Sequence, residues 1–134
     1  MRPLLRLAIA LFIMLSACDF LTTRKVLELG GVELNPYVRP FTNNPYTFLT
    51  WFIVATAIGV LLIVALYVWV TKAESLLRGS CLRKFPEALW IAVVLYILAM
   101  KFLCVVNNII VIAYKVPVTP IATLYSIVWR LLGG

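Results

Sequence analysis

The chain contains no histidine and only five acidic residues among its 134 positions. Histidine is the commonest metal ligand and the usual general base near neutral pH, so its absence removes the ordinary basis of both kinds of site. The sequence also has no nucleophile–base pair, no HExxH zinc motif and no glycine-rich phosphate loop. We therefore expect no catalytic residue, no metal site, no cofactor and no enzymatic activity.

Cysteine is scarce, and its spacing fits neither a metal site nor a disulfide framework. The three cysteines, Cys18, Cys81 and Cys104, fall in or beside apolar segments. Paired or clustered spacing is what indicates a disulfide or a zinc site, and it is missing here. We interpret all three as small apolar side chains.

Charge is also scarce: 13% of the residues are charged and 64% are hydrophobic. Soluble domains contain about 25% charged and about 45–50% apolar residues. Residues 48–70 and 89–113 are each long enough to cross a bilayer, which takes about 20 apolar residues. A third apolar run, 4–21, is interrupted by Arg6 and becomes polar at Asp19. The composition predicts an all-α integral membrane bundle of three transmembrane helices in one domain, residues 1–134.

Helix boundaries are marked by proline, asparagine and glycine. Pro3 and Gly30-Gly31 delimit a first helix at about 4–29, and Asn44-Pro45 begins a second at about 45–72. Pro86-Glu87 begins a third at about 87–114. Beyond it, a tail helix at about 118–132 is short for a span. An interfacial or partner-covered helix and a short fourth span both remain open for this tail.

The basic residues bracket the apolar runs instead of forming one patch with aromatics, so the net charge of +7 does not indicate nucleic acid binding. They are typical of topology determinants, and the partner that they indicate is the lipid bilayer. Six would be cytoplasmic if the N-terminus is inside: Arg2, Arg6, Lys72, Arg78, Arg83 and Lys84. Four would then be outside: Arg24, Lys25, Arg39 and Lys115. We predict a multi-pass cell-membrane protein with a cytoplasmic N-terminus.

The first run also fits a bacterial lipoprotein signal, with Leu15-Ser16-Ala17-Cys18 as the lipobox. Against cleavage, no turn residue follows Cys18 until Gly30. We expect the first helix to be retained.

Polar residues inside the predicted spans form a predicted polar seam between the first and third helices. Its members are Asp19, Thr22, Thr23, Lys101, Asn107 and Asn108. Asp19 lies about 15 residues up the first helix and Lys101 about 13 up the third, so their depths agree within one turn. Each charge alone costs about 2.5–3.5 kcal/mol at the centre of a span, so we expect the two to pair. Glu33 and Asn35 are expected to close its outer mouth.

The motif D-F-L-T-T-x7-G-G-x-E-L-N-P-x-x-R contains Asp19, Thr22, Thr23, Gly31, Glu33, Asn35, Pro36 and Arg39. It resembles a family of small prokaryotic membrane proteins, frequent in archaea, whose function is unknown. In that family an acid followed by two hydroxyl residues closes the first helix and a Gly-x-Glu-x-Asn-Pro turn follows. A later Asn-Asn pair is matched by Asn107-Asn108. The resemblance covers roughly residues 8 to 112, implies an uncleaved first helix, and brings no established activity.

Three interpretations of the polar seam stay open: a structural lock made of interhelical hydrogen bonds, an ion or proton pathway, and intramembrane catalysis. Lys101 argues against a cation site because it neutralises Asp19. The second helix has no polar seam, and its small residues Ala55, Ala57 and Gly59 permit close helix approach. The sequence favours an accessory or structural subunit bound to other membrane-protein subunits. The alternative is an ion or proton pathway, or a small transporter, that acts as a homo-oligomer.

Overall fold

Three long α-helices and one 3₁₀ turn make up the computed structural model, which describes residues 2–31, 33, 37–80 and 82–114. The helices are α1 (Arg2–Glu28), α2 (Pro45–Leu76) and α3 (Phe85–Tyr114), with the 3₁₀ turn Arg39–Phe41 before α2. The described residues contain no strand. Each long helix has the length and apolar composition to cross a membrane, which confirms the all-α fold with three membrane-spanning helices.

Capping residues form the C-terminal end of α1 and the N-terminal end of α2. Gly30 adopts a positive φ of 83°, and the N–H of Gly31 donates to the carbonyl of Val26 at 2.9 Å. This closure suits glycine because it has no Cβ to strain in the left-handed region. At α2, the side chain of Asn44 accepts the N–H of Tyr46 at 2.8 Å. Between these ends α1 continues without a break past Cys18.

The connection between α2 and α3 is shorter than the sequence predicts. α2 continues four residues past the expected end at 72, because residues 73–76 contain neither glycine nor proline. It ends where the N–H of Leu77 donates to the carbonyl of Ala73, just before Gly79 with a φ of 91°. α3 begins two residues early at Phe85, which places Pro86 in the first turn, where its missing N–H costs nothing.

The apolar core occupies the end of the bundle where α1 and α3 begin and α2 ends. Its buried residues are Ala8, Phe12, Ile63, Val70, Trp90 and Val94. The indole N–H of Trp90 points at the carbonyl of Ile63 at 3.5 Å, and its ring meets Tyr67 edge-on. This cluster ties α2 and α3 to α1. Toward the opposite end of α1 and α3, both apolar and polar side chains are buried, namely Val26, Val105 and Thr23.

At the opposite end, aromatic rings join α1 to α2. The ring of Phe20 lies 4.9 Å from that of Phe48 and 4.8 Å from that of Phe52. Phe41, in the 3₁₀ turn, stacks on Trp51 at 4.8 Å. Five sequence predictions lie outside the described residues: Asn35, Pro36, Cys81, Lys115 and the tail helix at about 118–132.

Candidate functional site

An ion pair joins α1 to α3 about halfway along α3. The ammonium of Lys101 donates to Asp19 Oδ2 at 2.9 Å. Asp19 and Lys101 are the two residues that the sequence analysis expected to pair, because they lie at similar depths in their helices. It is not sealed from its surroundings, because the side chain of Lys101 is 35% exposed and that of Asp19 is 22% exposed.

A second set of contacts is centred on the amide of Asn108. Asn108 Nδ2 lies 2.9 Å from Thr23 Oγ1, 3.2 Å from Thr22 Oγ1 and 3.4 Å from Asp19 Oδ1. An amide nitrogen carries two N–H donors, so it cannot serve three oxygens at once. We call these three side-chain oxygens, together with the amide of Asn108, the oxygen cluster.

The two threonines of the oxygen cluster are held in different ways. The hydroxyl of Thr22 has two backbone acceptors within its own helix, the carbonyls of Cys18 at 2.8 Å and Asp19 at 3.1 Å. Such back-bonding satisfies a hydroxyl donor inside a membrane helix and leaves its lone pairs for a partner. Thr23 is 8% exposed and faces α3. Thr22 Oγ1 is therefore held by its own helix, and Thr23 Oγ1 by its contact with Asn108.

Ser16 is a member of this region that sequence reasoning missed. Its side chain is 1% exposed, and within the described chain its Oγ has no hydrogen-bond partner. Ser16, Asp19 and Thr23 stand at i, i+3 and i+7, which places them on one face of α1. This spacing could have indicated that Ser16 shares a face with the polar residues of α1. A single serine within an apolar run is more often interpreted as a small residue that helps helices pack.

The two halves of the predicted Asn pair face different directions. Asn108 makes the contacts of the oxygen cluster, whereas Asn107 points about 100° away around the helix. Cys104 lies one turn from both Lys101 and Asn108 on α3, and Cys18 precedes Asp19 on α1. Both cysteines are half-buried free thiols.

The described part of the outer loop contributes Glu33 and Arg39. Glu33 is half-buried, and its charge lies within electrostatic range of Cys104. Arg39 begins the 3₁₀ turn, where it is exposed and its carbonyl accepts the hydroxyl of Thr42 at 2.8 Å. Arg39 belongs to the turn that leads into α2.

The donor types in the polar seam limit its chemistry. In the described residues no three His, Cys, Asp or Glu side chains meet in a way that could hold a metal ion. The oxygen cluster instead offers one carboxylate, two hydroxyls and an amide, which suit hydrogen bonding or a weakly held cation. A cleft of ≈ 90 Å³ between α2 and α3 is wholly apolar and separate from the seam. It is lined by Leu66, Trp69, Val70, Leu89, Trp90 and Val93.

No protein-family model, curated protein or solved structure shows significant similarity to the chain. Function is therefore inferred from the polar seam and from the surface of the bundle.

Proposed function

We propose that the protein is a non-catalytic subunit of a larger membrane protein complex. The observation that carries this proposal is the incomplete enclosure of the Asp19–Lys101 pair, whose side chains are 22% and 35% exposed. Ionisable groups within a bilayer face a bundle interior, a water-filled cavity or a partner. Among the residues that the structure describes, this pair meets that requirement only in part.

The depth of the pair makes this exposure significant. Lys101 stands 16 residues after the first residue of α3, Phe85, and 13 before its last, Tyr114. At a rise of about 1.5 Å per residue these separations are roughly 24 and 20 Å, so the charge is near the middle of a hydrocarbon layer about 30 Å thick. A lysine side chain is too short to reach either interface from there. A neighbouring helix with a hydrogen-bond acceptor would cover it.

The ammonium of Lys101 also has N–H donors that no described residue accepts. An ammonium group carries three N–H donors, and in the described residues it donates one hydrogen bond, to Asp19. An acceptor on a partner subunit would use a second donor. In a membrane such interhelical hydrogen bonds contribute about 0.6–2 kcal/mol each and fix which helices pair.

The outer surface of the bundle supports the same proposal. In the most apolar stretch of each long helix, fewer than one residue in five is buried. Between positions 51 and 68 of α2 the exposed residues are all aliphatic, among them Ile53, Val54, Ile58, Leu61 and Leu62. A bundle this thin is suited to packing beside other subunits.

Native mass spectrometry of mildly solubilised membranes, with an affinity tag on this chain, tests the proposal. We expect the tagged chain to leave the membrane together with different chains in a fixed ratio. Recovery of the chain only as monomers or as copies of itself would contradict the proposal.

The oxygen cluster favours a second candidate function, an ion or proton pathway. Three helices cannot enclose a path, so this function requires several copies of the chain. Ion flux in liposomes containing only the purified chain, together with a homo-oligomer by mass, would favour it over the subunit. No flux, with partners present in fixed ratio, would favour the subunit.

We further propose that the N-terminus is cytoplasmic, as the positive-inside rule favours for this distribution of lysine and arginine. We also propose membership of the small prokaryotic membrane family that the Asp19–Thr22–Thr23 and Asn107–Asn108 motifs resemble. An accessory role is compatible with that family, because no activity is attached to it.

A further inference from the structure

The connection between α2 and α3, together with the helix turns beside it, is rich in basic residues. Residues 72–87 contain four basic side chains and two acidic ones: Lys72, Arg78, Arg83, Lys84, Glu74 and Glu87. All four basic residues are exposed, and within the described chain none of them takes part in an ion pair. This end of the bundle therefore carries positive charge that the described residues do not neutralise.

Two of these basic residues, Arg83 and Lys84, are held by the backbone at the start of α3. The N–H of Arg83 donates to the carbonyl of Ser80 at 3.2 Å, and the carbonyl of Lys84 accepts the N–H of Ala88 at 3.1 Å. Lys84 precedes Leu89 by five residues, which is roughly 8 Å along the helix axis. The two positive charges therefore stand just beyond the apolar part of α3.

The apolar cleft between α2 and α3 lies next to this charged end. Val70 and Trp90 are its buried residues, whereas Trp69 and Leu89 are exposed, so the cleft of ≈ 90 Å³ opens on the outer surface of the bundle. A wholly apolar lining gives van der Waals contact to a hydrocarbon chain and no hydrogen bond to a polar ligand. The cleft is therefore suited to an acyl chain.

Charge and apolar lining follow one another along α3 in the order in which a phospholipid carries its phosphate and its acyl chains. Basic pockets between transmembrane helices bind anionic headgroups in this way. The guanidinium of Arg83 can donate two parallel hydrogen bonds to a phosphate, and the ammonium of Lys84 adds a point charge. Lys72 is less suited, because it stands two residues after Val70 and so about 200° around α2 from that cleft residue.

We propose that the α2–α3 cleft binds one anionic phospholipid, whose acyl chain lies between Trp69 and Leu89 and whose phosphate is held by Arg83 and Lys84. A lipid with net negative charge is favoured, because the phosphate of a zwitterionic lipid is already balanced by its own ammonium group. The site belongs to whichever leaflet contains the α2–α3 connection. It therefore rests neither on the orientation nor on the partner subunit proposed above.

Quenching of Trp69 fluorescence by brominated lipids measures which lipid occupies the cleft. The purified protein is reconstituted in phosphatidylcholine liposomes and titrated with brominated phosphatidylglycerol or, separately, with brominated phosphatidylcholine. The quenching that wild type shows beyond Trp69→Phe is the contribution of Trp69. The anionic lipid should reach half of its quenching at a mole fraction at least about fivefold lower, the factor that one basic residue near a membrane surface contributes.

A matched pair of charge variants tests the headgroup contact. Arg83→Gln/Lys84→Gln should bring the preference for the anionic lipid close to one. Arg24→Gln/Lys25→Gln removes the same two charges from the C-terminal end of α1, at the opposite end of the bundle, and should keep the wild-type preference.

A second matched pair distinguishes the cleft from the general layer of lipid around the bundle. Val93→Phe fills the cleft without changing any charge, so it should also remove the preference. Val54→Phe places the same ring on the exposed side of α2, away from the cleft, and should leave the preference unchanged.

The inference is wrong if both brominated lipids quench Trp69 equally in wild type, or if Arg83→Gln/Lys84→Gln keeps the wild-type preference. It is equally wrong if wild type and Trp69→Phe are quenched alike, because a second copy of the chain or another protein then covers the cleft. If Arg83→Gln/Lys84→Gln cannot be purified, Val93→Phe decides. A preference that survives Val93→Phe would place the lipid outside the cleft and overturn the proposed site.

Discussion

Both carboxylate oxygens of Asp19 face groups of α3. Oδ2 accepts the ammonium of Lys101 at 2.9 Å, and Oδ1 lies 3.4 Å from the amide nitrogen of Asn108. Asp19 therefore links the ammonium of Lys101 to the amide of Asn108 in one network of contacts.

A double-mutant cycle measures the ion pair. Asp19→Leu and Lys101→Leu should each lower the free energy of unfolding in detergent by about 3 kcal/mol, since each leaves one uncompensated charge. This is the low end for buried pairs, because the side chain of Lys101 is 35% exposed. The double variant should recover most of the loss. Strictly additive effects would show that the two charges do not interact.

The surface pair Arg24–Glu28 is the matched control for that cycle. It joins the same kinds of charge on α1 at 3.1 Å, but its side chains are 59% and 48% exposed. Solvent screens such pairs, so a cycle with Arg24→Leu and Glu28→Leu should show no measurable coupling.

Part of the polar seam could be predicted from the sequence, and part could not. Counting residues from helix ends places Asp19 and Lys101 at one depth, because a helix rises by a fixed amount per residue. The choice of Asn108 over Asn107 depends on the rotation of α3 about its own axis, which depth does not fix. Ser16 was missed because its burial depends on how closely the neighbouring helices approach α1.

At the scale of the helices, hydropathy and capping residues predict the three spans, but they do not predict how the spans pack. The contact between Gly59 and Phe12 is an example of packing that the sequence does not predict. A Cβ at this position would lie 2.6 Å from Cε1 of Phe12 and closer still to Cζ, and Phe12 is buried in the core. Small residues at 55, 57 and 59 were all candidates for close approach, yet Ala55 and Ala57 are exposed. Which small residue faces a neighbour depends on side chains of that neighbour.

Gly59→Ala should therefore destabilise the bundle. Overpacking a buried contact costs about 1–3 kcal/mol, and the Phe12 ring has little room to move. Phe12→Leu/Gly59→Ala should be more stable than the sum of the two single effects, because the smaller side chain gives the new methyl space. Thermal unfolding in detergent measures both. A Gly59→Ala variant as stable as wild type would show that α1 and α2 do not approach this closely.

The continuity of α1 gives a prediction about processing. Ala8 and Phe12 belong to the buried core with Ile63 and Trp90, so cleavage before Cys18 would remove part of that core. The intact mass of the purified protein should include residues 1–17 and show no lipid on Cys18. A mass that begins at Cys18 with a diacylglycerol would show that the lipobox is used and that α1 is lost.

At the scale of the whole molecule, the orientation can be tested by labelling. With the native cysteines replaced by serine, Ser80→Cys in the α2–α3 connection should react with a membrane-impermeant thiol reagent only after the cells are permeabilised. Asn43→Cys, before α2, should react in intact cells. Both positions are exposed in the structure. Reaction at position 80 in intact cells would reverse the proposed orientation.

The central claim is that the half-open Asp19–Lys101 pair holds this chain to partner subunits. The most direct measurement compares, by native mass spectrometry, the chains that co-purify with wild type, with Asp19→Leu/Lys101→Leu and with Arg24→Leu/Glu28→Leu. Replacing both charges of a pair by apolar residues is often nearly neutral for folding, so both variants should reach the membrane. We expect the seam variant to lose its partner chains while the surface variant keeps them in the wild-type ratio. Partners retained by the seam variant at the wild-type ratio would contradict the account.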